Sequence, residues 1–376
     1  MSPPRQPGAI ETTASSGPHE IRLGGRRILV APGLLARVGE FAREAAPAHR
    51  YALITDSNLQ PLYAGKVESQ FERGSLDVLT IPPGESNKTR ETWSRLTDQM
   101  LAKRCGRDSA IIALGGGVVG DLAGFVAATF MRGIPVVQVP TTLVAMVDAS
   151  IGGKTAVDTP AGKNLVGAFH SPAMVLIDPH LLATLPLREL RAGFAEVVKY
   201  GVIADEPYLR EVATRVPELL SARGSMGDRM LSLIVRSVEI KVGVVSRDER
   251  EEGLRKILNF GHTIGHAVEM VSGFSLLHGE AVAIGMALES QLAERIGLAE
   301  SGTAATVSQT LESAGLPTAL PPGFEGDAVI EAMRSDKKGR SGKTRFALPL
   351  RIGAMAGKDT GWTVSVGDDQ LREVLA

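Results

Sequence analysis

Short apolar runs alternate with longer amphipathic segments in the first half of the chain. Runs rich in Val, Ile and Leu lie at 27–31, 51–55, 77–81, 110–114, 136–139 and 174–177. Between them, segments such as 59–73 and 89–103 place apolar residues at helical spacing. Strands that alternate with helices are typical of a mostly parallel sheet covered by helices, so the pattern predicts an α/β fold for this half.

The second half is predicted to be helical. After Leu-Pro-Leu at 185–187, the sequence from 188 to about 333 is rich in Ala, Glu, Leu and Arg and has no convincing strand. An extended segment is predicted over 344–350 and a closing helix over 368–375. We therefore expect a disordered tail over 1–20, an α/β domain over 21–186 and an all-α domain over 187–376, with a ligand in the cleft between the domains.

Composition and charge exclude several kinds of partner. Lys plus Arg (41) and Asp plus Glu (42) nearly cancel, so nothing draws the whole chain to nucleic acid or to an anionic membrane. Asp121 and Asp148 interrupt the two most apolar stretches, which leaves no predicted membrane span. The one cysteine, Cys105, excludes an internal disulfide and a cysteine-based zinc site. A reducing, cytoplasmic location is the expectation.

The main glycine cluster follows the predicted strand at 110–114. Gly115-Gly116-Gly117-Val118-Val119-Gly120-Asp121 satisfies G-x-G-x-x-G between a strand and an apolar helical segment. Glycines there let backbone N–H groups approach a pyrophosphate at a helix N-terminus, which indicates a nucleotide site. Pro140 stands where the usual acidic residue is expected, so Asp56 is the better candidate for a ribose contact. A tight turn that needs glycine only for packing is the alternative.

Two further segments place charged residues among glycines and apolar residues. The loop over 83–88 follows a strand and carries Glu85 and Lys88, which suit a nucleotide's hydroxyls and phosphates. The segment 139–154 and the tripeptide Gly162-Lys163-Asn164 add two threonine hydroxyls, a carboxylate and two lysines. Because an unpaired buried charge is costly, these lysines favour an anionic ligand. Exposed loop lysines are the alternative.

Three of the seven histidines, His262, His266 and His278, lie close together in apolar helical sequence. Upstream, Glu196, Lys199 and Tyr200 share one face of a predicted helix. A catalytic zinc typically takes three ligands of the histidine and carboxylate type, so the cluster indicates metal binding. Spacing does not select the histidines: His262 and His266 are four apart, as in a chelating pair, but the metalloprotease glutamate is absent. Structural histidines are the alternative.

Basic residues surround the histidine cluster. They are Lys241, Arg247, Arg250, Arg255 and Lys256, with Asp336-Lys337-Lys338 further on in a glycine-rich loop. A solvated helix face explains some of them. In a nearly neutral chain, however, such a group suits a small substrate that carries phosphate and carboxylate.

Together these segments resemble the 3-dehydroquinate synthase family, from about residue 56 to residue 350. The segments that carry the resemblance are Leu114 to Asp121, Val139-Pro-Thr-Thr142, Gly152-Gly-Lys-Thr-Ala156, Gly162-Lys-Asn164, Ala195-Glu-Val-Val-Lys-Tyr-Gly201, Leu258-Asn-Phe-Gly-His-Thr-Ile-Gly-His266, His278-Gly-Glu280 and Asp336-Lys-Lys338. The resemblance implies a dehydroquinate synthase-like fold with a Rossmann-like NAD-binding domain, a C-terminal α-helical domain and a homodimer.

The resemblance also implies a reaction. It is the conversion of 3-deoxy-D-arabino-heptulosonate 7-phosphate to 3-dehydroquinate and phosphate, catalysed by a carbon-oxygen lyase of the shikimate pathway. The implied steps are transient NAD-dependent oxidation, phosphate elimination, reduction, ring opening and intramolecular aldol closure.

Individual residues acquire roles through the same resemblance. The implied ligands of the metal, zinc or cobalt, are Glu196, His262 and His278. The implied NAD contacts are Asp56, Glu85, Lys88, Gly115, Gly116, Gly117, Val118, Val119, Gly120, Asp121, Thr141, Thr142, Lys154, Lys163, Leu181 and Thr184. The implied catalytic and substrate contacts are Asp148, Lys154, Asn164, Lys199, Lys241, Arg255, Asn259, His266 and Lys337, with Lys338 as the alternative to Lys337 and with Arg132 acting in the neighbouring subunit's site.

Three other functions are open at this point. A sister sugar phosphate cyclase, making an inosose, a valiolone or an amino-quinate analogue, would differ at residues that meet the substrate, whereas Lys241, Arg255 and Asn259 match the dehydroquinate synthase pattern. An iron- or zinc-dependent polyol dehydrogenase would accumulate NADH and would not need so many phosphate-binding lysines. A catalytically inactive NAD- and metal-binding module would be free to lose a metal ligand, but all three implied ligands are present.

Overall fold

The computed structural model describes residues 17–221, 226–336 and 344–376. Within these ranges the chain forms two compact units, one of residues 17–185 with 226–242 and the other of 186–221, 243–336 and 344–376. The division at 185 lies next to the predicted boundary. The placement of 226–242 with the first unit differs from the predicted domain over 187–376, because helical spacing does not tell which unit a helix packs against.

The strands include all six that the sequence predicts. In chain order they are β1 (His19–Leu23), β2 (Arg26–Val30), β3 (Arg50–Asp56), β4 (Leu76–Ile81), β5 (Ser109–Gly115), β6 (Val136–Pro140), β7 (Lys154–Thr159), β8 (Gly162–Phe169), β9 (Met174–Ile177), β10 (Thr344–Phe346), β11 (Pro349–Arg351), β12 (Ala354–Met355) and β13 (Val364–Val366). The predicted extended segment over 344–350 is therefore two separate short strands, β10 and β11.

The helices follow the prediction less evenly. In chain order they are α1 (Val38–Ala45), α2 (Gly65–Glu68), α3 (Arg90–Ala102), α4 (Gly117–Thr129), α5 (Leu187–Ala204), α6 (Glu206–Ser221), α7 (Met226–Val245), α8 (His262–Val271), α9 (His278–Arg295), α10 (Thr303–Ser313), α11 (Gly326–Asp336) and α12 (Asp368–Leu375). The predicted helix over 59–73 is wrong in extent, since only a π-helical turn over Gln60–Ala64 and α2 form there. Gly65 lowers the helix propensity, and Leu62 is exposed, so the apolar stripe is incomplete.

Seven strands form the sheet of the first unit in the order β1-β2-β9-β6-β5-β3-β4. All neighbouring pairs are parallel except β1 with β2. The central strands are buried on both faces, which is why they appear in the sequence as continuous apolar runs. This confirms the predicted α/β class.

Two features of this unit are absent from the sequence prediction. Strand β1 begins at His19, so the predicted tail over 1–20 extends too far. The strand has only two apolar residues, Ile21 and Leu23, and Ile21 is the buried one. The hairpin of β7 and β8 lies outside the main sheet, and β8 is partly exposed, so it lacks the continuous apolar run of a buried strand.

The strand order reverses between β3 and β5. The chain leaves β3 toward β4 on one side, whereas it leaves β5 toward β6 on the other. In open parallel sheets, ligands bind beyond the carboxyl ends of the strands at such a reversal.

The second unit is mainly helical, and α5, α8 and α9 form its centre. Side chains of α8, α9, α11 and α12 share one apolar core with β10 and β13. Among the helices in the described ranges, none combines the length and the apolar character that a bilayer crossing requires.

Candidate active site

The predicted nucleotide contacts lie at one edge of the parallel sheet. Asp56 ends β3, Gly115 ends β5, and Thr141 directly follows β6. Glu85 and Lys88 lie in the loop after β4, while Leu181 and Thr184 lie in the 3-10 helix after β9. Because the carboxyl ends of parallel strands meet at the same edge, the fold brings these loops together at the strand-order reversal.

The glycine motif has the strand, turn and helix context that a phosphate-binding loop needs. Strand β5 ends at Gly115 and α4 begins at Gly117, with no side-chain hydrogen bond to the N-cap residue Gly116. A Cβ atom at Gly115 would overlap the Val119 side chain, and one at Gly120 would lie 3.0 Å from Oε1 of Gln138. Packing therefore explains two glycines of the motif, and the positively polarised start of α4 suits an anion.

Five predicted site residues meet around the buried amine of Lys88, which is 3% exposed. Its Nζ atom lies 2.7 Å from Oδ2 of Asp121 and 3.5 Å from Oε1 of Glu85, and it donates a hydrogen bond of 2.5 Å to Oδ1 of Asn164. Lys163 Nζ lies 3.6 Å from the same oxygen of Glu85. Burial opposes the charge on Lys88, but the surrounding carboxylates outweigh burial and raise the pKa of its amine. Burial raises the pKa of the Asp121 carboxyl.

Asp158 on β7 supports this cluster, and the sequence analysis missed it. Its Oδ1 atom accepts a hydrogen bond of 2.9 Å from the backbone N–H of Asn164, whose φ of 57° is in the left-handed region. Its own backbone N–H donates to the carbonyl of Lys88 at 2.7 Å. The available signal was the Thr159-Pro160-Ala161-Gly162 turn between two alternating segments, which is typical of a hairpin.

A second ion pair in the first unit joins two predicted substrate contacts. Lys241 on α7 places its Nζ atom 2.6 Å from Oδ1 of Asp148 and also donates to the Asp148 carbonyl at 2.6 Å. Lys154 at the start of β7 is exposed, as is Arg132 in the turn after α4. The backbone of Arg132 has a φ of 71°, an unusual value for a residue with a side chain.

The second unit brings the three implied metal ligands together. Glu196 on α5 is 0% exposed, and His262 and His278 are the first residues of α8 and α9. One ligand atom from each residue lies within 4.8 Å of the others. Oε1 of Glu196 is 3.6 Å from Nε2 of His262 and 3.4 Å from Nε2 of His278. His266, one helical turn further along α8, is exposed, and its ring centroid lies 5.3 Å from that of His262.

Glycines let the three ligand-bearing helices approach at backbone distance. A Cβ atom at Gly279, next to His278, would overlap the carbonyl of Ala192 on α5. A Cβ atom at Gly285 on α9 would overlap the carbonyl of Gly261, which precedes α8 and has a φ of 81°. The glycines beside the histidines are therefore required for the packing that gathers the ligands.

The second ring nitrogen of each histidine is held by another oxygen. Nδ1 of His262 lies 3.1 Å from the carbonyl oxygen of Phe260, and Nδ1 of His278 lies 3.7 Å from Oε2 of Glu269. Such partners fix the tautomer and ring direction of metal-binding histidines. Two imidazole nitrogens and one carboxylate form a donor set typical of catalytic zinc, and cobalt accepts the same ligands. The residues present therefore fit the implied metal.

The two histidines have opposite electrostatic surroundings. Burial, reinforced by the charge of Lys199, lowers the pKa of His262 to about 3. Burial opposes the charge on His278 as well, but the nearby carboxylates of Glu196 and Glu269 outweigh it and raise the pKa of His278 to about 10. The buried amine of Lys199 forms an ion pair with Glu196 on the same helix.

Two further predicted contacts, Arg255 and Asn259, lie in the 3-10 helix Leu254–Asn259 just before α8. The carboxylate of Asp248 accepts backbone N–H groups of Arg255 at 2.9 Å and of Gly253 at 2.8 Å. Burial is the largest single effect and opposes the charge on Asp248, but the hydrogen bonds from the backbone N–H groups together outweigh it and lower the pKa of its carboxyl. Asn259 donates to the carboxylate of Glu251. Asp248 and Glu251 are further residues that the sequence analysis missed.

Comparison with known protein families identifies the family of this chain. The sequence matches the model of the 3-dehydroquinate synthase N-terminal region over 78–192 and that of the C-terminal region over 193–339. The chain belongs to the 3-dehydroquinate synthase family. The family inferred from the sequence motifs is thus confirmed.

The chain is similar in sequence to a 3-dehydroquinate synthase and in structure to two other synthases. The chain is 47% identical over 330 residues to a 3-dehydroquinate synthase of Symbiobacterium thermophilum, which covers 87% of this chain and 91% of that protein. The structure resembles 2-deoxy-scyllo-inosose synthase in complex with carbaglucose-6-phosphate, NAD+ and Co2+, with a TM-score of 0.85, 27% identity and coverage of 95% and 98% of the two chains. It also resembles 2-epi-5-epi-valiolone synthase of Streptomyces hygroscopicus with NAD+ and Zn2+ bound, with a TM-score of 0.83, 32% identity and coverage of 93% and 95%.

Two lysines of the 3-dehydroquinate synthase motifs, Lys337 and Lys338, lie outside the described residues.

Glu269, by contrast, is well placed beside His278 and was missed from sequence. It follows His262 by seven positions and His266 by three, so its position on the same helix face was the available signal.

Proposed function

We propose that this chain converts 3-deoxy-D-arabino-heptulosonate 7-phosphate to 3-dehydroquinate and phosphate. The observation that carries the proposal is the meeting of Glu196, His262 and His278 in a chain that is 47% identical to a curated 3-dehydroquinate synthase. The identity to the two sister cyclases is 27% and 32%, which favours dehydroquinate synthesis over an inosose or a valiolone product.

Glu196, His262 and His278 would hold zinc or cobalt, and the loops at the sheet edge of the first unit would hold NAD. The chemistry supplied there would be polarisation of a substrate hydroxyl by the metal, and uptake and return of a hydride by NAD. The solved sister cyclases contain NAD+ with Co2+ or Zn2+, which supports both cofactors here. The cluster of Glu85, Lys88 and Asp121 would anchor the loop that faces the nucleotide.

The protein's own cations would bind the substrate's anionic groups. Arg255 is almost wholly buried, and its backbone is fixed by Asp248, so its guanidinium is preorganised for a carboxylate or phosphate. Lys199 and Lys241 are also buried, and each forms an ion pair with a carboxylate, which holds both amines in place. His266 is exposed beside the ligand histidines and would bind the phosphate or move a proton there.

We further propose a cytoplasmic homodimer, in which Arg132 reaches the partner's site. One face of β8 exposes Leu165 and Phe169 to 57% and 60%, an apolar pair that a second copy of the chain would cover. Sedimentation of the unmodified chain and of Phe169→Asp tests this, with a dimer and a weakened dimer as the expected results. Two monomeric samples would contradict it.

The activity test follows phosphate release from 3-deoxy-D-arabino-heptulosonate 7-phosphate with NAD and zinc present, while NADH absorbance is recorded. We expect phosphate without net NADH, loss of release after chelation, and recovery with zinc or cobalt. His278→Ala is expected to abolish release and metal binding, while His180→Ala, at an exposed histidine of the first unit, is the control and is expected to retain both.

Three results would contradict the proposal in different ways. Phosphate release only from hexose or heptulose phosphates that lack a carboxylate would indicate a sister cyclase. Steady NADH growth with simple polyols would indicate a dehydrogenase, and no turnover of any of these compounds would indicate a binding module. If His278→Ala retained one metal per chain, the assignment of His278 as a ligand would be overturned, while the proposed activity would stand.

A further inference from the structure

Helix α8 begins where its own sequence supplies no capping acceptor. Its N-cap residue is Gly261, which has no side chain, and its third residue is the apolar Ile264. In a capping box, the N-cap side chain accepts the N–H of the third residue, and the side chain of that residue accepts the N–H of the N-cap. Neither acceptor exists locally, yet His262, a proposed metal ligand, lies in this turn.

The carboxylate of Glu289, on α9, accepts both of the hydrogen bonds that a capping box would accept. Oε2 of Glu289 on α9 accepts the backbone N–H of Gly261 at 2.7 Å, and Oε1 accepts that of Ile264 at 3.0 Å. The two N–H groups lie on either side of His262 along the chain. One side chain thus fixes the start of α8 from the helix that carries the other proposed histidine ligand.

The buried position of the Glu289 carboxylate carries a large desolvation cost. Glu289 is 0% exposed, and a buried carboxylate is tolerated only when hydrogen bonds replace its hydration. The packing of α8 on α9 does not require it, because glycines already bring the two helices to backbone distance at Gly261 and Gly285. An apolar residue would fill the same space, but it would leave two buried N–H groups without an acceptor.

The other proposed histidine ligand has a similar support. Oε2 of Glu280 accepts the backbone N–H of Leu277 at 2.8 Å, immediately before His278, and Glu280 also forms a bidentate ion pair with Arg188 on α5. A carboxylate therefore holds the first turn of each helix that begins with a proposed histidine ligand. Negative charge at these positions also offsets the positively polarised helix starts, which would otherwise repel a cation.

We propose that Glu289 is a positioning residue for the metal ligand His262. It holds the backbone on both sides of His262 and thereby directs Nε2 toward Glu196. Nδ1 of His262 lies 3.1 Å from the carbonyl oxygen of Phe260, the residue before Gly261. The hydrogen bonds from Gly261 and Ile264 to Glu289 therefore also fix the backbone near this second ring nitrogen. The inference rests on the metal site in the proposed function.

The chain offers a matched control on the same helix. Glu294 accepts the backbone N–H of Ala304 at 2.8 Å and so caps the start of α10, which carries no proposed ligand. The substitutions Glu289→Gln and Glu294→Gln each remove one carboxylate cap from α9. They differ in whether the capped helix begins at a metal ligand.

The test titrates Co2+ into the metal-stripped full chain and follows cobalt absorption, together with hydrogen exchange of the peptide over 258–266. We expect Glu289→Gln to weaken cobalt binding by roughly 10–100-fold and to speed exchange in this peptide, because loss of such outer partners has that effect. Glu294→Gln is expected to bind cobalt within about twofold of the unmodified chain, by the same reasoning. If Glu289→Gln does not unfold cooperatively, Glu289→Asp, which keeps the charge, takes its place under the same criteria.

Two outcomes would overturn the inference while the metal site stands. One is unchanged cobalt affinity in a folded Glu289→Gln variant, and the other is equal weakening in both variants. Failure of the unmodified chain to bind cobalt would instead overturn the proposed metal site and this inference together.

Discussion

Nδ1 of His278 and Oε2 of Glu269 lie 3.7 Å apart, although the two residues belong to different helices. The opposite nitrogen of the same ring faces Glu196 at 3.4 Å. A buried carboxylate behind a histidine raises its basicity as a ligand and fixes its direction. Glu269 therefore belongs to the proposed metal site although it would not touch the metal.

Replacing Glu269 with Gln is expected to weaken metal binding by about tenfold or more, since the amide cannot supply the negative charge behind His278. The measurement is the dissociation constant for zinc or cobalt, by competition with a chelator of known affinity. Glu300→Gln, at an exposed carboxylate of the same unit, is the control. Equal dissociation constants for the unmodified chain and Glu269→Gln would remove Glu269 from the site.

Adding a methyl group at Gly279 is expected to destabilise the chain by about 1–3 kcal/mol and to weaken metal binding, because the new atom would overlap the carbonyl of Ala192 on α5. Gly65→Ala is the control: nothing lies within 4 Å of its Cβ position, and its φ is −63°. There we expect a gain of about 0.5–1 kcal/mol from helix propensity. Chemical denaturation measures both, and a Gly279→Ala chain of unchanged stability would refute the close approach.

Removing the charge of the buried Lys88 is expected to leave the half-buried carboxylates of Asp121 and Glu85 without their cation. Lys88→Met should cost about 3–5 kcal/mol of stability, as breaking a buried ion pair does, and should weaken NAD binding. The double variant with Asp121→Asn should recover part of the stability. Lys103→Met, at an exposed ion pair with Asp77, should cost less than about 1 kcal/mol. Similar losses in both single variants would contradict the prediction.

The hydrogen bonds of Asp248 predict a pH dependence. Its pKa is lower in the folded chain than in the unfolded chain, so its ionised form favours folding. This contribution is complete above the unfolded value of about 4 and is lost as the pH falls through the lower folded value. The difference in unfolding free energy between the unmodified chain and Asp248→Asn should therefore be largest near neutral pH and shrink below about pH 4.

Denaturation curves from pH 7 downward measure this difference. The control is Asp369→Asn, whose carboxylate is 99% exposed and which should alter stability little at any pH. A pH-independent difference for Asp248→Asn would show that the loop before Arg255 does not depend on the ionised carboxylate. An increased KM for the substrate is expected at neutral pH, because the same carboxylate holds the Arg255 backbone.

Much of the fold was predictable because the apolar residues that an element buries form a recognisable local pattern in the sequence. The strands β3, β5 and β9 are covered on both faces, so each appears as a continuous apolar run. The hairpin of β7 and β8 escaped prediction for the opposite reason, since its exposed face breaks any such run. The predicted helix over 59–73 was wrong in extent because an apolar stripe needs a surface that covers it, and Leu62 stays exposed.

By itself, the sequence determined the alternation of strands and helices, the glycine-rich turn after β5, and motifs specific enough to indicate a family. Only the tertiary structure decided how Glu196, His262 and His278 meet, because they lie on three helices whose separation along the chain sets no distance in space. It also decided where the carboxylates of Glu289 and Glu269 lie, since both look like ordinary helix residues in the sequence. Packing at the glycine contacts fixes those distances, and packing depends on the whole fold.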